Sequence, residues 1–243
     1  MVSADTVYSQ EGTAAHAVKQ RCLSLGLEPH DFIGEIIEKV AVTAEMAEAV
    51  AIDVNYCRWL MGFADQFWIE EQVSLAKLNP PADMFGTLDF GAYFAERQEL
   101  HIVDFKYGKG VWVTAKDNVQ LRYYALAAAL TFNLPVSTVV TTVIQPRFGG
   151  SSDPIRSAVV DAVTMAEFAI ALITKAHVAM QAHAPIAAGD WCKFCPVKNS
   201  CLVHQTYQTP RPIGNSHFHH RPNSQQRSQI VTCRPSKLKT SKG

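Results

Sequence analysis

A bilayer-spanning run is not expected in this chain. The most apolar run, residues 123–130, stops well short of the roughly 20 residues that a spanning helix needs. The opening MVSADTVYSQEG is polar and lacks the apolar segment of a secretory leader. These absences predict a cytoplasmic protein with no membrane contact, in which the six cysteines are free, metal-bound or cluster-bound rather than disulfide-bonded. Net charge is lacking too, with 22 Lys and Arg against 22 Asp and Glu. The balance conceals an asymmetry: residues 205–243 hold seven Lys or Arg and no acid, which leaves the preceding body with seven acids in excess. An acid-free basic arm suits a polyanion, and it suits a solvated disordered tail equally well. Apolar periodicity and internal repeats are absent from this tail, so its HFHH at residues 217–220 and its Cys233 are expected to be unstructured.

What is present is enough for one domain with a real core over residues 1–204, followed by that tail. Residues 86–107, GTLDFGAYFAERQELHIVDFKY, contain two alternating apolar runs on either side of a short polar break, the pattern of a β-hairpin. Before it, a helix is expected from Glu11 to a stop near Gly26, with Ala15, Val18 and Cys22 on its apolar face and His16 beside them. A second helix is expected over residues 43–68, capped by Thr43 and burying Cys57. Residues 70–78 read as extended, with Glu71 just upstream of the hairpin, either joining the acidic site or lying near its rim. After the hairpin the pattern predicts a short strand at 111–113, a helix over 117–132, a buried strand over 137–144 and a long helix over 157–180. Strand, helix and strand in that order suggest a βαβ unit with a parallel pair.

Side chains two apart on a strand share a face, so Asp104 and Lys106 project together while Phe105 turns into the packing. Pairing across the hairpin brings Asp89 towards them. Two carboxylates at close range repel unless a cation lies between them, and an oxygen-rich site of this kind suits Mg²⁺ or Mn²⁺. A lysine beside such an ion positions or deprotonates water, which is the equipment for hydrolysing a phosphodiester. An acid and a lysine two apart are also a common solvated pair. The second informative motif is GDWCKFCPVKNSC at residues 189–201, in which Cys192, Cys195 and Cys201 have the spacing of metal or cluster ligands.

Taken together, His16 in GTAAH, Asp89 in GTLD, Asp104-Phe105-Lys106 in IVDFKYGKG, and Gln120 with Tyr124 in QLRYY resemble the PD-(D/E)XK nuclease superfamily, and within it the RecB-like nucleases. The closest likeness is to an uncharacterised phage-encoded branch that shares the EGTAAH, FGTLD, VDFKYGKG and IQPR phrases and ends in W-C-x-F-C. The resemblance covers about residues 11–201. It implies an α/β fold with a restriction-endonuclease-like core, a central mixed β-sheet flanked by helices, and a C-terminal cysteine-rich segment. It implies a metal site of His16, Asp89, Asp104 and the Phe105 carbonyl, with Lys106 on the water and with Gln120 and Tyr124 positioning Lys106 and the DNA backbone. Many such nucleases also carry a [4Fe–4S] cluster held by one cysteine upstream of the histidine and three near the C-terminus. Cys192, Cys195 and Cys201 match the latter three, but no cysteine precedes His16. An N-terminally shortened chain is therefore expected, with Cys22 as a substitute ligand or Zn²⁺ in place of the cluster. Asp104 stands where many members carry Glu, and both acids bind the ion. The resulting expectation is a metal-dependent deoxyribonuclease, an exonuclease acting on DNA ends or single strands, working beside a recombination or replication protein. The rival readings are a non-catalytic DNA-binding scaffold of the same fold and a zinc-binding interaction protein.

Overall fold

The computed structural model describes residues 7–148, 153–189, 191–192 and 195–208. The basic tail beyond residue 208, with its histidine run and Cys233, lies outside the described residues. The chain divides into two compact units, Met1–Thr174 and Lys175–Gly243.

In the first unit, helix α1 (Val7–Leu25) ends at Gly26, whose φ of +71° is open to glycine and whose amide returns to the Cys22 carbonyl. A two-residue hairpin, β1 (Ile36–Ile37) with β2 (Val40–Ala41), precedes α2 (Ala44–Met61). Thr43 caps α2 by accepting the Met46 amide at 3.1 Å, as expected. The helix stops at Gly62, earlier than the expected residue 68, and Phe67 and Trp68 belong instead to β3 (Gln66–Ser74). Next come β4 (Phe85–Phe94) and β5 (Glu99–Phe105), the expected hairpin. Helix α3 (Val119–Thr131) is capped by Asn118 and leads to β6 (Thr138–Ile144), which pairs parallel with β5 and completes the βαβ unit.

Two expectations fail. Residues 111–113 form no strand, because their main-chain groups are taken by the side chain of Gln145: its Nε2 donates to the Val111 carbonyl and its Oε1 accepts the Val113 amide. The long helix expected from residue 157 is preceded by a strand, β7 (Ile155–Asp161), and α4 begins only at Ala162 and runs to Ala179. Asp161 caps that start by accepting the Thr164 amide at 2.8 Å. Helix α4, rather than residues 123–130, is the most apolar element. By length and composition alone it is a candidate membrane span, with a mean hydropathy of 1.4. Its Met165, Phe168 and Leu172 pack into the core cluster shared with α3.

The five-stranded sheet has the order β3-β4-β5-β6-β7, antiparallel except for β5 with β6. One face packs α1 and α2 through Ala15, Val18, Val50 and Val54 against Phe90, Val103 and Phe105. The other face packs α3 through Leu121 and Ala125 against Leu100 and Ile102. Strand β5 is thus covered on both sides, which explains its unbroken apolar run. The chain is a mixed α/β fold with a central mixed sheet flanked by helices. In the second unit, a turn at Cys192 and Cys195 is followed by a 3₁₀ turn (Lys198–Ser200) and helix α5 (Leu202–Gln208), so the residues just after 204 are helical.

Candidate active site

The site lies where β4 and β5 part. Their ladder runs from Phe94 with Glu99 to Phe90 with Val103 and goes no further. Beyond that point the carboxylate of Asp89 takes the place of a main-chain partner, accepting the Phe105 amide at 2.9 Å. Two residues earlier the alternation also slips: Leu88 packs with the α3 cluster and Phe90 with the α1–α2 cluster. Asp89 sits at this change of phase and faces α1.

Across from Asp89, on β3, stands Glu70. Pairs form at Ile69 with Phe90 and at Glu71 with Leu88, while Glu70 itself adopts a left-handed backbone with φ +49°. The departure from regular strand geometry brings the Glu70 carboxylate, rather than that of Glu71, to the site; Glu71 is exposed. The sequence pointed to Glu71, at the site or near its rim, because nothing local marks a left-handed residue at Glu70. The only available signal was the acidic pair itself.

His16 completes the group from α1. Its Nε2 lies 3.0 Å from the Phe105 carbonyl oxygen, and its Nδ1 lies 3.5 Å from Glu70 Oε1 and 3.6 Å from Asp89 Oδ2. A carbonyl only accepts, so Nε2 carries a proton. Burial pulls the imidazole pKa down, but the Glu70 hydrogen bond and the Asp89 charge outweigh it and leave the pKa above its ordinary value. With Nε2 on the Phe105 carbonyl, Nδ1 is the ring nitrogen that faces the two carboxylates. Ligand atoms of His16, Glu70 and Asp89 all lie within 4.8 Å of one another, a spacing that fits a divalent cation.

Asp104 occupies the other face of β5. It is 2% exposed, and its Oδ1 accepts a hydrogen bond from Lys106 Nζ at 2.9 Å, with Oδ2 2.8 Å from the same nitrogen but outside hydrogen-bond geometry. Burial, then the nearby charge of Asp89, push its carboxyl up to about 6 against the pull of Lys106. Lys106 also donates to Gln120 Oε1 at 3.3 Å, and Gln120 Nε2 donates to the Tyr124 hydroxyl at 3.4 Å. The relay from β5 to α3 joins the lysine, glutamine and tyrosine singled out in the sequence. Gly86 leaves room for the tyrosine ring, since a Cβ there would come within 2.8 Å of Tyr124 Cε1.

Three further residues were given no role by the sequence, although Gln145 and Arg147 lie in its IQPR phrase. Lys19, one turn after His16, is fully buried in an ion pair with Asp53 of α2 at 3.0 Å, and its Nζ lies 5.8 Å from the centre of the Phe105 ring. Burial opposes the lysine charge, but Asp53 overrides it and holds the pKa well above the usual value. Gln145 makes four hydrogen bonds that tie residues 108–113 and Arg156 to the end of β6. Arg147 lies over the Tyr107 ring at 4.0 Å and bonds Glu11 and Glu45.

The cysteines fall into two settings. Cys22 is fully buried in the α1–α2 core, where burial pushes its thiol up to about 11. Cys192, Cys195 and Cys201 are partly exposed in the second unit. There Cys192 Sγ accepts the Gly189 amide at 3.4 Å, and the Cys195 amide returns to the Cys192 carbonyl at 3.0 Å.

A histidine and two carboxylates thus gather at the open end of the mixed sheet of an α/β chain, with a lysine just past the end of β5 held by Asp104. The chain belongs to the family described as "Protein of unknown function (DUF2800)", which matches residues 1–231. Among solved structures it is similar to one described as "Crystal structure of SSO0001", at 12% identity over 84% of this chain and 89% of that one, with a TM-score of 0.36.

Proposed function

We propose that this protein is a metal-dependent nuclease of the RecB-like PD-(D/E)XK kind that hydrolyses phosphodiester bonds in DNA and works from ends or on single strands. The observation that carries this reading is the convergence of His16, Glu70 and Asp89 within 4.8 Å of one another, beside a lysine held by Asp104. A bound Mg²⁺ or Mn²⁺ supplies an activated water and neutralises charge on the phosphate. His16, Glu70 and Asp89 would hold it, with the Phe105 carbonyl beside them, while Asp104, on the other face of β5, would act through Lys106. Asp104 orients Lys106 so that its ammonium faces the attacking water and stabilises the charge that develops on phosphorus. Gln120 limits where that ammonium can swing, and Tyr124 fixes Gln120.

Cys192, Cys195 and Cys201 are proposed to bind a [4Fe–4S] cluster or Zn²⁺, a reading supported by the amide directed at Cys192 Sγ. Metal analysis and a visible spectrum of anaerobically purified protein, beside a Cys192→Ala variant, test it.

The nuclease is tested by incubating end-labelled linear and closed circular DNA with the full chain in Mg²⁺, Mn²⁺ or EDTA, beside Asp104→Ala and Lys106→Ala. Metal-dependent loss of linear DNA that both substitutions abolish is the expected result. Binding of DNA with no cleavage in any metal would sink the nuclease in favour of a scaffold of the same fold.

A further inference from the structure

The glycines of the first unit can be sorted by what demands them. Gly26 and Gly34 have φ of +71° and +91°, which L side chains rarely adopt. Gly86 makes room for Tyr124. Gly62 and Gly91 lack a left-handed φ and would bring a Cβ only into ordinary contact, while a Cβ on Gly12, Gly108 or Gly110, which also lack one, would meet nothing within 4 Å. Within the folded chain, alanine would serve at all three positions. At Gly12, inside α1, alanine would serve better, because glycine weakens a helix interior.

These three glycines share one location. They come from two separate elements, and all of them line the same cavity of about 620 Å³, whose walls also include His16, Glu70, Phe105 and Lys106. The wall carrying Gly108 is fixed in place, since its carbonyl accepts a hydrogen bond from Gln145 Nε2 at 3.2 Å. Space that the fold holds open and does not use internally is available to a molecule entering the cavity, and bare backbone permits the closest approach. The chemistry sharing the cavity selects what enters. Cation-binding carboxylates and a lysine ammonium suit a phosphodiester.

We infer that Gly12 on one side and Gly108 with Gly110 on the other form the surface along which the sugar–phosphate backbone of one DNA strand lies as it reaches His16, Glu70 and Lys106. This rests on the nuclease reading above and specifies how the substrate is seated. The glycines are positioning residues: they exclude nothing from the strand and contribute no group to the reaction.

The test compares wild type with Gly12→Ala, Gly108→Ala and Gly110→Ala in the full chain. Gly62→Ala is the control, because its Cβ would make only ordinary contacts, 3.5 and 3.6 Å from carbonyls of α2, away from the cavity. Melting temperature, Mn²⁺ affinity by calorimetry, affinity for a fluorescein-labelled oligo(dT) of about 30 nucleotides in Ca²⁺, and KM and kcat in Mn²⁺ are measured. The three cavity variants are expected to melt no lower than wild type, with Gly12→Ala higher, and to bind Mn²⁺ within about twofold of wild type. Their oligonucleotide Kd and KM are expected to rise by about tenfold, with Gly62→Ala unchanged. Wild-type oligonucleotide affinity in all three variants, in a protein that does cleave DNA, would overturn the seating and leave the nuclease standing. A wild type that neither binds nor cleaves DNA would remove both.

Discussion

Glu70 is held in a left-handed backbone (φ +49°) opposite Asp89, a conformation that costs a residue with a Cβ about 1 kcal/mol or more. Such strain persists where surrounding structure over-determines it, here by placing a second carboxylate 3.5 Å from His16. Glu70→Gln is expected to weaken Mn²⁺ binding by about tenfold or more in calorimetry, whereas Glu71→Gln, one residue along and exposed, leaves it unchanged. Asp104 offers a different readout. Its carboxyl titrates at about 6 when folded, against 3.8 as the ordinary value, so between those limits the folded chain binds more protons than the unfolded one. Stability in EDTA is therefore expected to fall as pH rises from about 4 through about 6, by up to ~3 kcal/mol from this group. His16, raised above 6.5, acts in the same direction: its contribution is present below that value and lost as pH rises through its folded pKa. Urea denaturation across this range, with Asp104→Asn flattening its acidic part, checks the sign.

At the scale of elements, the packing of α1 on α2 contains a charge pair that a plain apolar seam would not need. Lys19 and Asp53 are both fully buried, with Lys19 Nζ 3.0 Å from Asp53 Oδ2 and Asp53 Oδ1 left without a hydrogen-bond partner. Breaking such a pair leaves an uncompensated charge in the core. Lys19→Met alone is expected to cost about 3–5 kcal/mol in urea denaturation, and Lys19→Met with Asp53→Leu to recover most of that. Recovery in the double variant separates the charge effect from lost packing. The loop after β5 depends on a single side chain in the same way. Gln145→Leu removes the acceptor of the Val113 amide and the donor to the Gly108 and Val111 carbonyls. Faster amide hydrogen exchange at 108–113 is the expected result, with the protection of β5 preserved by its ladders to β4 and β6.

For the whole molecule, the proposed cation donors come from α1, β3 and β4, which meet only in the folded state. An ion that binds this state and not the unfolded chain must stabilise it, by about 2.7 kcal/mol at a hundredfold excess over its Kd. Mn²⁺ is accordingly expected to raise the melting temperature, EDTA to reverse the shift, and Asp89→Asn to abolish most of it. Absence of a shift in wild type at millimolar Mn²⁺ would show that the three donors do not act together.

Much of this arrangement is legible from local pattern. The hairpin, the parallel return of β6, the cap at Thr43, and the i, i+4 placement of Gln120 and Tyr124 follow from periodicity and turn chemistry within short windows. So does the projection of Asp104 and Lys106 from one face of β5, since a strand alternates wherever it is regular. Periodicity fails where regular geometry ends. It singled out Glu71, at the site or near its rim, and missed Glu70, because a left-handed residue changes which carboxylate faces inward without changing the sequence pattern. It read residues 111–113 as a strand, because their apolar alternation carries no sign that Gln145, more than thirty residues on, occupies their main-chain groups. It ran β7 into α4 because both are apolar and only the Asp161 cap divides them. The meeting of His16 with Glu70, Asp89 and the Phe105 carbonyl spans up to 89 residues of chain. Residue types and short-range geometry were written in the order of the amino acids; which carboxylate reached the histidine depended on where β4 and β5 part, a consequence of packing between distant segments.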